Sequence, residues 1–170
     1  MSGPNNFLGK YQGVVTNHVD PMQQGRIQVS VPDVTIPPST WAKPSFPAAG
    51  IQAGAYMVPL TGTGVWVEFE QGDANRPIWS GCWYGSAAEV PAVVRLSPPP
   101  LPPIVFQTQG QTTLMLSDVP GPSGGILLKT KTGAMISIND AGIIISNGKG
   151  ASITLTGPTV AINVTALTVT

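Results

Sequence analysis

The stretch from Gly62 to Gly85, GTGVWVEFEQGDANRPIWSGCWYG, leaves the chain few folds to choose from. Val65, Val67 and Phe69 alternate with Trp66, Glu68 and Glu70, the period of two that marks a strand with two different faces. Gln71-Gly72-Asp73-Ala74-Asn75 is rich in turn formers, and Arg76-Pro77 opens a second β-type run, Ile78–Tyr84. Two aromatic strands joined by a short acidic turn make a hairpin. It carries Trp66, Trp79 and Trp83 of the four tryptophans, so much of the core of the first half is expected here. Cys82, between two of them, reads as a small core residue.

Upstream, Tyr11–Asn17 and Arg26–Val31 read as strands around a turn that holds Asp20-Pro21 and Gly25. Ile27, Val29 and Val31 alternate with Arg26, Gln28 and Ser30, a half-buried pattern. Pro32–Gly54 is irregular and proline-rich; its Trp41 is expected to pack on the barrel, and Tyr56–Pro59 reads as a further short strand. Five short strands over about eighty residues suit a small closed barrel of the OB type. No stretch shows helical periodicity with caps.

The hairpin, taken with Gly13-Val14-Val15, Asp20-Pro21 and Gly25-Arg26-Ile27-Gln28-Val29-Ser30-Val31-Pro32, resembles the OB domain of the central spike proteins of contractile tails. These are phage baseplate spikes and the VgrG-type proteins of type VI secretion and related injection particles. The resemblance spans Phe7–Tyr84 in one piece, and the order and spacing of the segments carry it rather than any one motif.

Composition narrows the function classes. Charged residues make up only 9%, about a third of the usual share, while apolar residues reach 42%, too many for a disordered chain. A surface with so little charge is expected to be covered by copies of itself or by partners. The eight basic residues are scattered and the formal net charge is zero, so the clustered basic footprint of a nucleic-acid binder is missing. A single Cys82 excludes an intramolecular disulfide. The N-terminal MSGPNNFLGK has no apolar run, and no stretch approaches the ~20 apolar residues of a membrane span. The expectation is a chain made in the cytoplasm without a signal peptide.

Ser86–Pro103, with Ser97-Pro98-Pro99-Pro100-Leu101-Pro102-Pro103, reads as a semi-rigid polyproline spacer. From Thr112 the text becomes short strands at near-regular spacing: 126–130, 134–138, 142–146, 151–156, 159–163 and 166–170, separated by Gly, Asn, Asp and Pro. One-faced strands of this size cannot enclose an adequate core in one chain. Two readings compete, a single-chain solenoid of two coils and a three-chain prism to which each chain gives one strand per face; the shortness of the repeat favours intertwining. The stems of the spike family are trimeric β-helices, so this feature extends the resemblance to the end of the chain.

No constellation for catalysis is evident. His18 is the only histidine and sits beside a turn. Glu68 and Glu70 share a strand face, as paired carboxylates of a glycosidase would, but the resemblance implies that this is the outer face of the barrel. The lysozyme domain of some spike relatives has no counterpart here, nor has the histidine-bound iron of some phage tips, since no histidine follows His18. Gly142–Gly150 with Lys149 lacks the spacing and the Ser or Thr of a phosphate loop. No His/Cys cluster has metal-ligand spacing, and no cofactor is expected.

The resulting expectation is an all-β chain: an N-terminal OB-fold barrel (1–86), a proline-rich linker (87–110) and a C-terminal intertwined trimeric β-helix stem (111–170). The resemblance implies a non-enzymatic central spike subunit of a phage-tail-like injection machine, a homotrimer that transmits force to the target envelope as part of a virion or similar particle. It further implies hub and tail-tube proteins at the OB end. The strand pattern runs to Thr170 without a closing turn or charged cap, so a PAAR-type tip protein is expected on Leu167, Thr168, Val169 and Thr170. An OB-fold binder of nucleic acid or oligosaccharide, stacking ligands on Trp41, Trp66 and Trp83, is the alternative. A receptor-binding trimeric fibre is the third.

Overall fold

In the first half the period-two runs fold into one curled sheet, in a computed structural model that describes residues 6–37, 40–97, 99–164 and 166–169. The strands are β1 (Tyr11–Asn17), β2 (Gln28–Ser30), β3 (Lys43–Pro44), β4 (Ala49–Gly50), β5 (Ala53–Gly54), β6 (Gly64–Phe69) and β7 (Pro77–Trp83). The sheet runs β2-β1-β6-β7-β3, and β4 and β5 form a separate small hairpin. Within the main sheet β3 alone is parallel to its neighbour, Lys43 lying opposite Ile78. One residue before β3, Ala42 exchanges backbone hydrogen bonds of 2.7 and 3.2 Å with Ile27, just ahead of β2. That bridge ties the two edges of the sheet together and makes an OB-like barrel. Val15, Ile27, Val65 and Val67 are sealed in its core with Phe69 and Trp79, so the two predicted alternations point inward as expected.

Three details of this half differ from the sequence reading. Tyr56–Pro59 is not a strand; the fifth strand is Lys43–Pro44, inside the proline-rich segment. It is two residues long and ends in a residue without an N–H, which a sheet tolerates only at an edge. Cys82 is exposed rather than core. Alternation from the buried Trp79 already places Cys82, three residues on, on the outer face; the β6–β7 register slips between Val65 and Val67, opposite Cys82 and Trp79, with Gly81 at φ +141° in the slip.

The second half is a meander. Its strands are β8 (Ile104–Gln107), β9 (Thr113–Ser117), β10 (Gly125–Lys129), β11 (Met135–Asn139), β12 (Gly142–Ser146), β13 (Ser152–Thr156), β14 (Thr159–Ile162) and β15 (Leu167–Val169). They form a single eight-stranded sheet in sequence order, every neighbour antiparallel. The all-β class therefore holds, with an OB-like curled sheet followed by antiparallel strands. Within the chain, however, the strand-plus-turn repeat neither coils as a solenoid nor gives one strand per face. Connections as short as Gly157-Pro158 can only return the chain antiparallel to the strand it has left, whereas a parallel neighbour needs a crossover of about a dozen residues. Each chain supplies a whole sheet.

The chain divides into two compact units, Met1–Glu89 and Val90–Thr170. Residues 87–110, expected as linker, hold a 3-10 turn (Ala92–Leu96) and strand β8, both within the second unit. Ser97 and Ser117 share a buried hydroxyl hydrogen bond of 2.5 Å, which fastens this segment to β9.

Candidate functional site

In the first unit, polar chemistry goes into fastening loops. Asp20 is only 3% exposed at its side chain and accepts the backbone N–H groups of Met22, Gln24 and Arg26 at 3.0, 2.8 and 3.2 Å. Arg26 closes the loop by donating Nη2 and Nε to the same carboxylate at 2.6 and 3.1 Å, and its guanidinium lies 5.5 Å over the Trp41 ring. The guanidinium holds the Asp20 carboxyl far below the usual carboxylate range, against the desolvation that opposes it. This clasp went unrecognised in the sequence, although Asp20-Pro21 and Gly25-Arg26 at six-residue spacing carry it.

The carboxylates that suggested acid–base work are taken. Glu68 meets Lys10 at 2.7 Å and accepts the Ser80 hydroxyl at 3.0 Å, and Lys10 first, Ser80 second, lower its pKa. Glu70 pairs with Arg76 and lies 3.8 Å from Lys43. The two glutamates are thus divided between separate cations and do not face a shared cleft. His18 Nδ1 accepts the Thr61 backbone N–H at 3.2 Å and lies 2.9 Å from its hydroxyl, a loop-to-loop tie. Among the described residues no group of three His, Cys, Asp or Glu could hold a metal ion. Two of the three aromatic candidates are engaged as well, while Trp66 stands half-buried on β6 opposite Gln12. Trp41 lies under Arg26, and Trp83 donates Nε1–H to the Val65 carbonyl at 3.4 Å.

The feature without a partner is one face of the second sheet. Residues directly opposite in an antiparallel pair point to the same side. The register joins Ile104 to Leu116, Leu116 to Ile126, Ile126 to Ile138, Ile138 to Ile143 and Ile143 to Leu155. A second row runs Phe106, Leu114, Leu128, Ile136, Ile145, Ile153 and Ile162. Every one of these residues is aliphatic or aromatic. In the single chain Ile126, Leu128, Ile136, Ile138, Ile145 and Ile153 remain 39–44% exposed. The opposite face carries Ser137, Ser146, Ser152 and Thr154 with Ile144 and Ala161, and is mixed. A contiguous aliphatic face of this length is an association surface.

Of the expected tip residues, Leu167 is exposed and Leu167, Thr168 and Val169 form β15, the edge strand of the sheet; Thr170 lies outside the described residues.

A closed barrel followed by a sheet with one uncovered apolar face defines a class of structural proteins that complete their fold by assembly. Residues 11–84 match the Type VI secretion system/phage-baseplate injector OB domain, and residues 103–168 match the phage baseplate V C-terminal trimerisation domain. The chain belongs to the phage-baseplate spike family and is VgrG-like. Comparison with curated proteins gives no match. Both matched families point to a non-enzymatic structural component of a baseplate, hence of a phage-tail-like particle, and the second to a homotrimer. No helix among the described residues is long and apolar enough to cross a membrane.

Proposed function

We propose that three copies of the chain close their aliphatic sheet faces into a triangular prism that serves as the central spike of a contractile injection machine. The observation that carries this reading is the shape of the uncovered face. Strands of five residues are ~17 Å long, while eight strands stacked side by side extend ~38 Å. A three-sided prism with ~17 Å faces has its axis about 5 Å from each sheet, half the ~10 Å at which two sheets pack face to face. Side chains from three faces fill that space. With the long dimension across the prism the axis would lie about 11 Å away, and the centre would be empty.

The spike so formed is a rod of backbone ladders without hinges, suited to transmitting axial force when the tail contracts. Its barrel end mounts on hub and tail-tube proteins. At the other end, β15 is an edge strand that carries the exposed Leu167, and edges of this kind are normally covered. A PAAR-type tip protein seated on Leu167, Thr168, Val169 and Thr170 fits that role. The family match and the polar residues committed to ion pairs and loop ties support a mechanical rather than a chemical task.

Light scattering on the purified protein tests the core of the proposal. The expected mass is three times the 17.6 kDa of one chain. A folded monomer overturns it. Capture of the tip protein by the full chain, and its loss after deletion of residues 166–170 from an intact trimer, tests the finer assignment.

A further inference from the structure

The meander sorts the charges of the second sheet by the side on which each turn falls. Successive turns of an antiparallel meander alternate between the two lateral margins of the sheet. On one margin lie the β9–β10 and β11–β12 connections, with Asp118 and Asp140. They touch each other, since Asp140 accepts the Gly121 N–H at 2.7 Å and Asn139 donates to the Pro122 carbonyl at 3.2 Å. On the other margin lie the β10–β11 and β12–β13 connections, with Lys131 and Lys149, and the end of β10, with Lys129. These turns also stack: a Cβ at Gly148 would come within 2.6 Å of Gly133. All five charges are exposed, and no ion pair among the described residues involves them. One margin is acidic and the other basic.

We infer that each acidic margin docks against the basic margin of the next copy, closing the ring of three head to tail through interdigitated turns. The inference rests on the trimer proposed above and says which surfaces meet. Rotation by a third of a turn cannot bring a margin against its own twin, so each contact joins unlike margins. It also keeps all three copies at one height. The β11–β12 turn then sits level with the gap between the partner's β10–β11 and β12–β13 turns. Asp140 is flanked by the partner subunit's Lys131 on one side and the partner subunit's Lys149 on the other, each about one strand spacing (~4.8 Å) along the axis. Asp118 likewise faces the partner subunit's Lys129 and the partner subunit's Lys131. The aliphatic face supplies the drive to associate, and the margins supply direction and register, with like charges set against any chain docked the wrong way. The Asp140 carboxylate is already fixed by Gly121, and Asn147 Oδ1 fixes the Lys149 turn by accepting its N–H at 2.8 Å.

The test exchanges the margins of the full-length protein. A chain with Asp118→Lys, Asp140→Lys, Lys131→Asp and Lys149→Asp carries these four turn charges on opposite sides, with Lys129 left in place. It is expected to form trimers with itself and to exclude the wild type. In co-expression of two differently tagged chains, native mass spectrometry should find mixed trimers about tenfold below their statistical share, because every mixed ring contains two like-charged contacts. Asp140→Lys alone should weaken assembly at low salt, and Lys131→Asp with Lys149→Asp should restore it. Mixed trimers at the statistical share, or an Asp140→Lys protein that assembles like wild type at low salt, overturns the inference while leaving the trimer in place. A wild type that is monomeric overturns the trimer and this inference together.

Discussion

Ile138→Asp is the most direct trial of the aliphatic face. Ile138 lies mid-sheet between Ile126 and Ile143 and is 41% exposed in the single chain. Full burial of such a side chain stabilises by about 1.5–3 kcal/mol, so covering the remaining two-fifths is worth roughly 1 kcal/mol per copy. The larger effect is the carboxylate. Three of them would meet near the prism axis with no cation on that face, and each unpaired buried charge costs several kcal/mol. Summed over the ring, the penalty is on the order of 10 kcal/mol, comparable to the whole stability of a typical domain. The trimer should be lost at micromolar concentration, read by light scattering and native mass spectrometry. Thr154→Asp, on the opposite face of the same sheet, should leave it intact. Ile138→Val removes one methylene from each chain and should cost only about 0.5–1.5 kcal/mol per site. An Ile138→Asp protein that stays trimeric with an unchanged melting temperature would refute the assignment of this face to the prism interior.

Three further outcomes concern the barrel. The folded Asp20 carboxyl is held below its unfolded value of about 3.9, so its contribution is fully present above that pH and is lost as acid protonates the clasp; Asp20→Asn should flatten acid unfolding of the barrel between roughly pH 4 and 2, and a variant with an unaltered acid transition sinks the argument. Gly64→Ala would put a Cβ 2.5 Å from Cε2 of Trp83, so a loss of about 1–3 kcal/mol in urea titration followed by tryptophan fluorescence is expected, and an unmoved midpoint contradicts it. Glu68→Gln breaks a pair that is half in water, so stability should fall by no more than about 1 kcal/mol, and a larger loss would mean that Lys10 has a role beyond this pair.

What the barrel sequence discloses depends on how locally each element is specified. Ile27, Val29 and Val31, and Val65, Val67 and Phe69, announce their strands because burial on one face writes a period of two directly into the text. Lys43–Pro44 announces nothing. Two residues cannot show a period, and the strand exists because Ala42 and Ile27 close the ring, a contact between distant segments. Cys82 misleads because its neighbours are tryptophans: it lies three residues on from the buried Trp79, and simple alternation already puts it on the outer face. The Asp20 clasp is legible only once it is known that the loop doubles back, bringing Arg26 within reach of a carboxylate six residues earlier.

In the second sheet the spacing of strands and turns is plain from the residues, but the same text serves a coil as well as a meander. Turn length decides between them, and with the meander comes a rule that no local pattern contains: odd and even turns belong to opposite margins. Along the chain Asp118, Lys131, Asp140 and Lys149 are simply alternating charges, at intervals that suggest ordinary solvated turns. Folding converts that alternation into segregation, because it has the same period as the turns themselves. Shifting one charge to the next turn would leave composition, hydropathy and strand pattern untouched, yet place a like charge on the facing margin. With the margins docked as inferred above, the order of charges along the chain becomes a constraint on assembly rather than on the fold of one chain.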